Sequence, residues 1–222
     1  MAAERAGHRP APDELRRSST AITETGEELV PRQAATVVLL RGGGETLEVL
    51  LVRRTHAARF MAGVWVFPGG AVDAHEGEGD AAHRQAAVRE LEEEATVGGI
   101  APADLVRFSR WITPRAVSVR FDTHFFLARA PDGVEPAVDG DECVDVGWFS
   151  PATALDAHAR GELPLVFPTI AHLEQFGAFA SADALLAHAR GLEVLPVLPG
   201  VVVEGEVARI LLPGGAGYDE EA

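Results

Sequence analysis

The sequence predicts a single α/β domain on three observations: apolar β-rich runs recur through the first 150 residues, one long amphipathic helix interrupts them, and capped helical segments follow residue 150. Residues 1–33 mix charges, prolines and Ser18-Ser19-Thr20 without periodicity and read as a flexible N-terminal arm. The domain proper is expected over 34–213. Runs 35–40 and 47–52, separated by Arg41-Gly42-Gly43-Gly44, suit an antiparallel hairpin. A third short strand at 64–67 is ended by Pro68-Gly69-Gly70, read as a turn, and 80–95 is rich in Ala, Glu, Leu and Arg, the composition of a helix. Strands follow at 105–112, 120–128 and 144–149. Helices are expected at 151–159 and 169–176, each with proline near its start, and at 182–190 behind the capping Ser181. The apolar 194–203 and 207–212 serve either a homodimer contact or a monomer core, and 214–222 reads as a flexible tail.

Composition narrows the function. Thirty-four acidic residues against 19 basic ones give a formal charge of −15, whose average field repels polyanions, so nucleic acid is not the expected partner. One cysteine, Cys143, excludes an intramolecular disulfide. No apolar run reaches the roughly 18 residues that span a bilayer, and residues 1–12 lack the apolar stretch of a secretory signal. The expectation is a soluble cytoplasmic protein without a membrane partner.

Four carboxylates within five residues, Glu90 and Glu92-Glu93-Glu94, repel one another unless water or a cation compensates them. On a helix, Glu90, Glu93 and Glu94 share a face through i,i+3 and i,i+4 spacing, Glu92 points elsewhere, and Val88, Leu91 and Ala95 form a separate apolar stripe. Two carboxylates about 4 Å apart repel by roughly 4 kcal/mol at an effective dielectric near 20. Three converging in a cleft would therefore hold protons or a divalent cation. All-oxygen ligands suit Mg²⁺ or Mn²⁺, which keep waters and accept phosphate oxygens. The competing reading of the same residues is a solvated helix face.

Together with Phe67-Pro68-Gly69-Gly70 upstream, these residues resemble the Nudix box: Gly70, Glu76, Arg89, Glu90, Leu91, Glu93, Glu94 and Val97 fall into its pattern. Two features depart from it. Twelve residues rather than seven separate Glu76 from Arg89, which reads as a five-residue loop insertion within 77–82, and Thr96 stands where the pattern has a glycine. Threonine adopts a left-handed helix end only with strain, so Gly98 or Gly99 is expected to take over that turn. Later blocks, Trp111-Ile112-Thr113-Pro114, Arg120-Phe121-Asp122-Thr123 and Trp148-Phe149-Ser150-Pro151, are similar to a branch with an expanded box that includes peroxisomal coenzyme A diphosphatases.

The resemblance implies an α/β/α sandwich with a mixed sheet and extra C-terminal helices. It also implies Mg²⁺- or Mn²⁺-dependent hydrolysis of the pyrophosphate bond of a nucleoside diphosphate linked to another moiety, with coenzyme A or an acyl-CoA as the branch-level candidate. Carried over residue by residue, Glu90, Glu93 and Glu94 are metal ligands, with Glu93 or Glu94 the catalytic base, and Arg89 orients them. Gly70 contributes its carbonyl or a close backbone approach, Glu76 braces the loop, and Glu142 is the candidate later-loop acid. Trp111, Phe121 and Phe125 are either core aromatics or a ligand wall, and Arg120 either clamps a phosphate or pairs with an acid. The alternative function is a non-hydrolysing Nudix-like nucleotide sensor, to which Thr96 and the longer loop point.

Overall fold

The computed structural model describes residues 30–44, 46–58, 61–115, 117, 119–204, 207–214 and 218. The expected arm therefore lies outside the described residues as far as 29. Its last residues belong to the first strand, β1 (Arg32–Arg41), because Gln33 is tied into the sheet: its amide donates to Asp122 Oδ2 at 3.3 Å and its carbonyl oxygen meets His83 Nε2 at 2.9 Å. β1 turns back into β2 (Glu48–Arg54) through Leu40↔Val49 and Arg41↔Glu48, with Gly42 and Gly44 at positive φ in the connection. β3 (Trp65–Val66) adds to β2.

Where a turn was expected, Gly69–Ala71 forms a short strand, β4, antiparallel to β1. The reason is steric. A Cβ on Gly69 would stand 2.6 Å from the Ala35 carbonyl oxygen and 2.7 Å from Thr36 Cα, so only glycine lets the two backbones come this close. The long helix, α1 (Gly79–Ala95), begins inside the stretch read as an inserted loop, so part of the insertion is helix rather than loop. Thr96 itself ends α1 in the left-handed conformation, φ 54° and ψ 34°, its N–H donating to the Glu92 carbonyl at 3.0 Å. Neither Gly98 nor Gly99 replaces it there.

The remaining elements are β5 (Val106–Ile112), β6 (Phe121–Arg129), β7 (Cys143–Phe149), α2 (Pro151–Ala159), α3 (Phe167–Phe176), α4 (Ala182–Ala189), β8 (Pro196–Val197), β9 (Gly200–Glu204) and β10 (Val207–Leu211). The main sheet runs β3-β2-β1-β6-β5-β8, with β4 also on β1 and β7 also on β2; β1–β6 and β5–β8 are parallel and the rest antiparallel. β9 and β10 form a separate hairpin. Period-2 alternation divides the core. Val37, Leu39, Leu50, Val52 and Phe126 pack on Ala86, Ala87, Leu91 and Ala95 of α1, while Val38, Leu40, Leu51, Phe125 and Leu127 pack on Ile170, Leu173, Phe176 and Leu185 of α3 and α4. The result is the expected α/β/α sandwich on a mixed sheet. Among the described residues no helix is long and apolar enough to cross a membrane.

Candidate active site

A cavity of about 750 Å³ opens beside β4. Gly69, Gly70, Glu90, Glu94, Glu142 and Arg54 line its acidic end, and Trp111, Phe121, Phe125 and Phe167 are among the aromatics lining the rest. β4 positions that end, because its glycines put bare backbone against α1. A Cβ on Gly70 would fall onto the Glu90 carboxylate, 2.5 Å from its Cδ.

The helical face that carries the three glutamates is not presented evenly. Glu94 is 2% exposed, accepts from the Gly69 N–H at 2.9 Å and pairs with Arg54 at 3.4 Å. Burial drives its carboxyl up to about 7, against the Gly69 hydrogen bond; the charge of Glu90 adds to the rise, Arg54 opposes it, and Glu142 adds again. Glu90 is also raised, first by burial and, against Arg89, by the charges of Glu93 and Glu142. Glu93 sits at the outer edge of the face with its side chain 58% exposed, held by Arg89 at 2.7 Å, and is not among the residues lining the cavity. Glu142 lies in the loop before β7 and lines the same end as Glu90 and Glu94. Among the described residues, no group of three or more His, Cys, Asp or Glu side chains is drawn together tightly enough to hold a metal ion.

Arg89 works as a bracket. Its Nε donates to Glu76 at 3.1 Å, one terminal nitrogen donates to Glu90 at 2.8 Å and Glu93 at 2.7 Å, and the other donates to the Ala71 carbonyl at 3.0 Å. Glu76 also accepts from the Asp73 N–H at 2.7 Å, which ties the loop before α1 to the helix. Burial pushes the Glu76 carboxyl upward, but the bonds from Arg89 and Asp73 outweigh it and leave Glu76 below its ordinary range.

Arg120, read as a phosphate clamp or an acid's partner, is buried, its Nε donates to the Thr113 carbonyl at 3.1 Å, and it is not among the lining residues. Trp111 and Phe125 are both core and wall: each is buried in the α3-side core and each also lines the cavity. Arg54 was missed. A signal for it existed, because alternation along β2 puts Arg54 on the Leu50 and Val52 face, the one that packs against the acidic helix.

The donor set suits a hard cation: the acidic end offers carboxylate oxygens and backbone, and glycine leaves room for close approach. Cys143, buried where the charge of Glu94 reaches it, has its thiol pushed up by burial and then by that charge, which makes it a poor thiolate ligand.

Comparison with known proteins bears on this arrangement. The NUDIX domain family model matches residues 30–167. The chain is 28% identical over 188 residues to the Caenorhabditis elegans protein named nudix hydrolase 7, covering 68% of this chain and 62% of that one. It is 34% identical over 125 residues to the Homo sapiens acyl-coenzyme A diphosphatase NUDT19, covering 53% of this chain and 33% of that one. The chain thus matches less than two thirds of the length of either curated relative. The crystal structure of a NUDIX hydrolase from Alicyclobacillus acidocaldarius superposes with a TM-score of 0.63 at 30% identity, over 71% of this chain and 96% of that one.

Proposed function

The chain belongs to the NUDIX domain family, and on that premise we propose that it hydrolyses the pyrophosphate bond of a nucleoside diphosphate linked to another moiety, with Mg²⁺ or Mn²⁺ at the acidic end of the cavity. The observation that carries this reading is the meeting of Glu90, Glu94 and Glu142 with the bare backbone of Gly69 and Gly70 in one cavity. Glu90 and Glu94 would hold the cation, with Glu142 facing them from the loop before β7 and the Gly70 backbone alongside. Glu93 can join them only by releasing Arg89. When bound, the cation would neutralise charge on the phosphate oxygens and lower the pKa of a water.

The chain's own residues do the rest. Arg89 and Glu76 tie the helix to the loop before it and hold the Glu90 carboxylate, a positioning role. With Oε2 held by the Gly69 N–H, Glu94 would present Oε1 to take a proton from the attacking water. Coenzyme A or an acyl-CoA is the candidate substrate, supported by the similarity to NUDT19 over about half of this chain.

The test is product analysis with Mg²⁺ on a panel of dinucleotides, sugar nucleotides and CoA esters. Wild type should split at least one into two monophosphate products, with Glu90→Gln and Glu94→Gln slowed on the order of 10²-fold or more. Equal rates in wild type and both variants would overturn the proposal. The second reading, a nucleotide sensor, is favoured by the engagement of Glu93 with Arg89; it predicts a nucleotide ligand bound with Mg²⁺ and recovered intact.

A further inference from the structure

The family match stops at residue 167, but the cavity extends beyond it. Pro199, Val201 and Ile210 also line it. Val201 and Ile210 belong to the β9–β10 hairpin, which pairs with no strand of the main sheet. Two anchors hold the hairpin in place. Before it, β8 pairs with β5 through Arg110↔Pro196 and Trp111↔Val197; after it, the Tyr218 hydroxyl donates to the Leu198 carbonyl at 2.8 Å. Most of the expected flexible tail, residues 215–217 and 219–222, lies outside the described residues.

Val201 and Ile210 are direct cross-strand partners. Opposite residues of an antiparallel pair point to the same face, and the next residue along the strand points to the other. One apolar face of the hairpin is accordingly turned into the cavity, while Val202 is exposed and not part of the lining. Trp111, Phe121 and Phe167 line the same cavity, with Trp111 set edge-to-face on Phe167 at 5.9 Å. The acids meet beside β4, where Gly70 backs onto Glu90, the Gly69 N–H donates to Glu94, and the charge of Glu142 reaches both.

We infer that Val201 and Ile210 are specificity-determining residues: they complete an apolar compartment for the non-nucleotide half of the substrate, which is a nucleoside diphosphate bearing an alkyl or aryl group on its second phosphate. This rests on the reading of the acidic end as a pyrophosphate site. The occupant is part of the substrate because the compartment and the acids are one cavity of about 750 Å³, within the range of small-molecule sites, so a molecule held by its pyrophosphate extends along the hairpin wall. Each methylene that leaves water there is worth about fourfold in affinity. The reaction adds water across the P–O–P bridge, hydroxide to one phosphorus and the proton to the oxygen that leaves with the other, giving a nucleoside monophosphate and an alkyl phosphate.

The experiment compares the methyl and octyl β-esters of ADP on the full chain. Hydrolysis is followed with Mg²⁺, and binding by calorimetry in chelator. Wild type should favour the octyl ester at least about tenfold in kcat/KM and in Kd. Val201→Asn and Ile210→Asn should each cut that preference severalfold, and Val202→Asn on the exposed face should keep it. A preference that is absent in wild type, untouched by Val201→Asn and Ile210→Asn, or lowered equally by Val202→Asn overturns the compartment. Cleavage of both esters without preference leaves the diphosphatase reading standing and removes only the compartment. Tighter octyl binding without cleavage does the reverse, and neither binding nor cleavage removes both.

Discussion

Replacing Glu94 with glutamine isolates the electrostatic cost of the acidic end. The carboxyl is almost wholly buried, and its pKa rises from 4.5 to about 7, so the folded protein holds this proton more tightly than the unfolded chain. A raised carboxyl contributes stability that is fully present below pH 4.5 and is lost as pH climbs through about 7. At about 1.4 kcal/mol per pH unit, the loss amounts to roughly 3 kcal/mol by pH 8 in chelator. Glutamine keeps an oxygen that can accept from Gly69 but carries no charge, so the variant escapes this loss. The attraction of Arg54 for the ionised carboxyl is already contained in that pKa, so the net gain is roughly 3 kcal/mol. For a domain of this size that is about 6–12 °C in Tm. Differential scanning calorimetry of both proteins in chelator from pH 5 to 8 reads it directly: the two melting curves should nearly coincide at pH 5, with Glu94→Gln melting higher by pH 8. Because every other titrating group is common to both proteins, parallel pH profiles would refute the reasoning.

Four further outcomes follow from named contacts. Thr96→Gly relieves a left-handed threonine at an exposed helix end and should raise stability by about 1 kcal/mol, read as a Tm increase of a few degrees. Gly70→Ala drives a methyl into the Glu90 carboxylate and should slow Mg²⁺-dependent hydrolysis on the order of 10²-fold, measured as kcat/KM on the substrate that the panel identifies. His172 is buried among Phe67, Phe108, Phe125 and Phe176, and burial holds its pKa down at about 3. Its neutral ring supports the fold above pH 6.5, and that support is lost as pH falls through about 3, so His172→Phe should flatten the decline in Tm below pH 6. His124, set down to about 4 by burial and then by the charge of His83, acts in the same direction, and His124→Phe should flatten the same limb.

Those elements whose residues repeat with a clear period were legible in the sequence. α1 announces itself through Ala86, Ala87, Leu91 and Ala95, all of which end buried against the sheet. β4 does not, because paired glycines after a proline carry the local signature of a turn; their use as a strand depends on Ala35 and Thr36, more than thirty residues away, filling the space a Cβ on Gly69 would need. The acidic face was legible as a face but not in its depth. Helical phase places Glu93 and Glu94 side by side, whereas the sheet decides that Glu94 turns inward to Gly69 and Glu93 outward to Arg89. Glu142 could be picked from Asp139-Gly140-Asp141-Glu142 only as a loop acid, and its place in the cavity comes from the chain folding back at β7. Arg120 could be read only as one of two alternatives, and its bond to the Thr113 carbonyl comes from the fold. The β9–β10 hairpin was visible only as two apolar runs, since nothing local tells whether such runs meet the core or line a cavity.

Whether Glu90 and Glu94 grip a hard cation at the end of the cavity is measured most directly by Mn²⁺ titration followed by electron paramagnetic resonance, with no substrate present. Wild type should remove free Mn²⁺ signal at one site per chain, Glu90→Gln and Glu94→Gln should each weaken that site tenfold or more, and Mg²⁺ should compete for it. Mn²⁺ binding of equal strength in wild type and both variants, or no binding by wild type at millimolar Mn²⁺, would contradict the account.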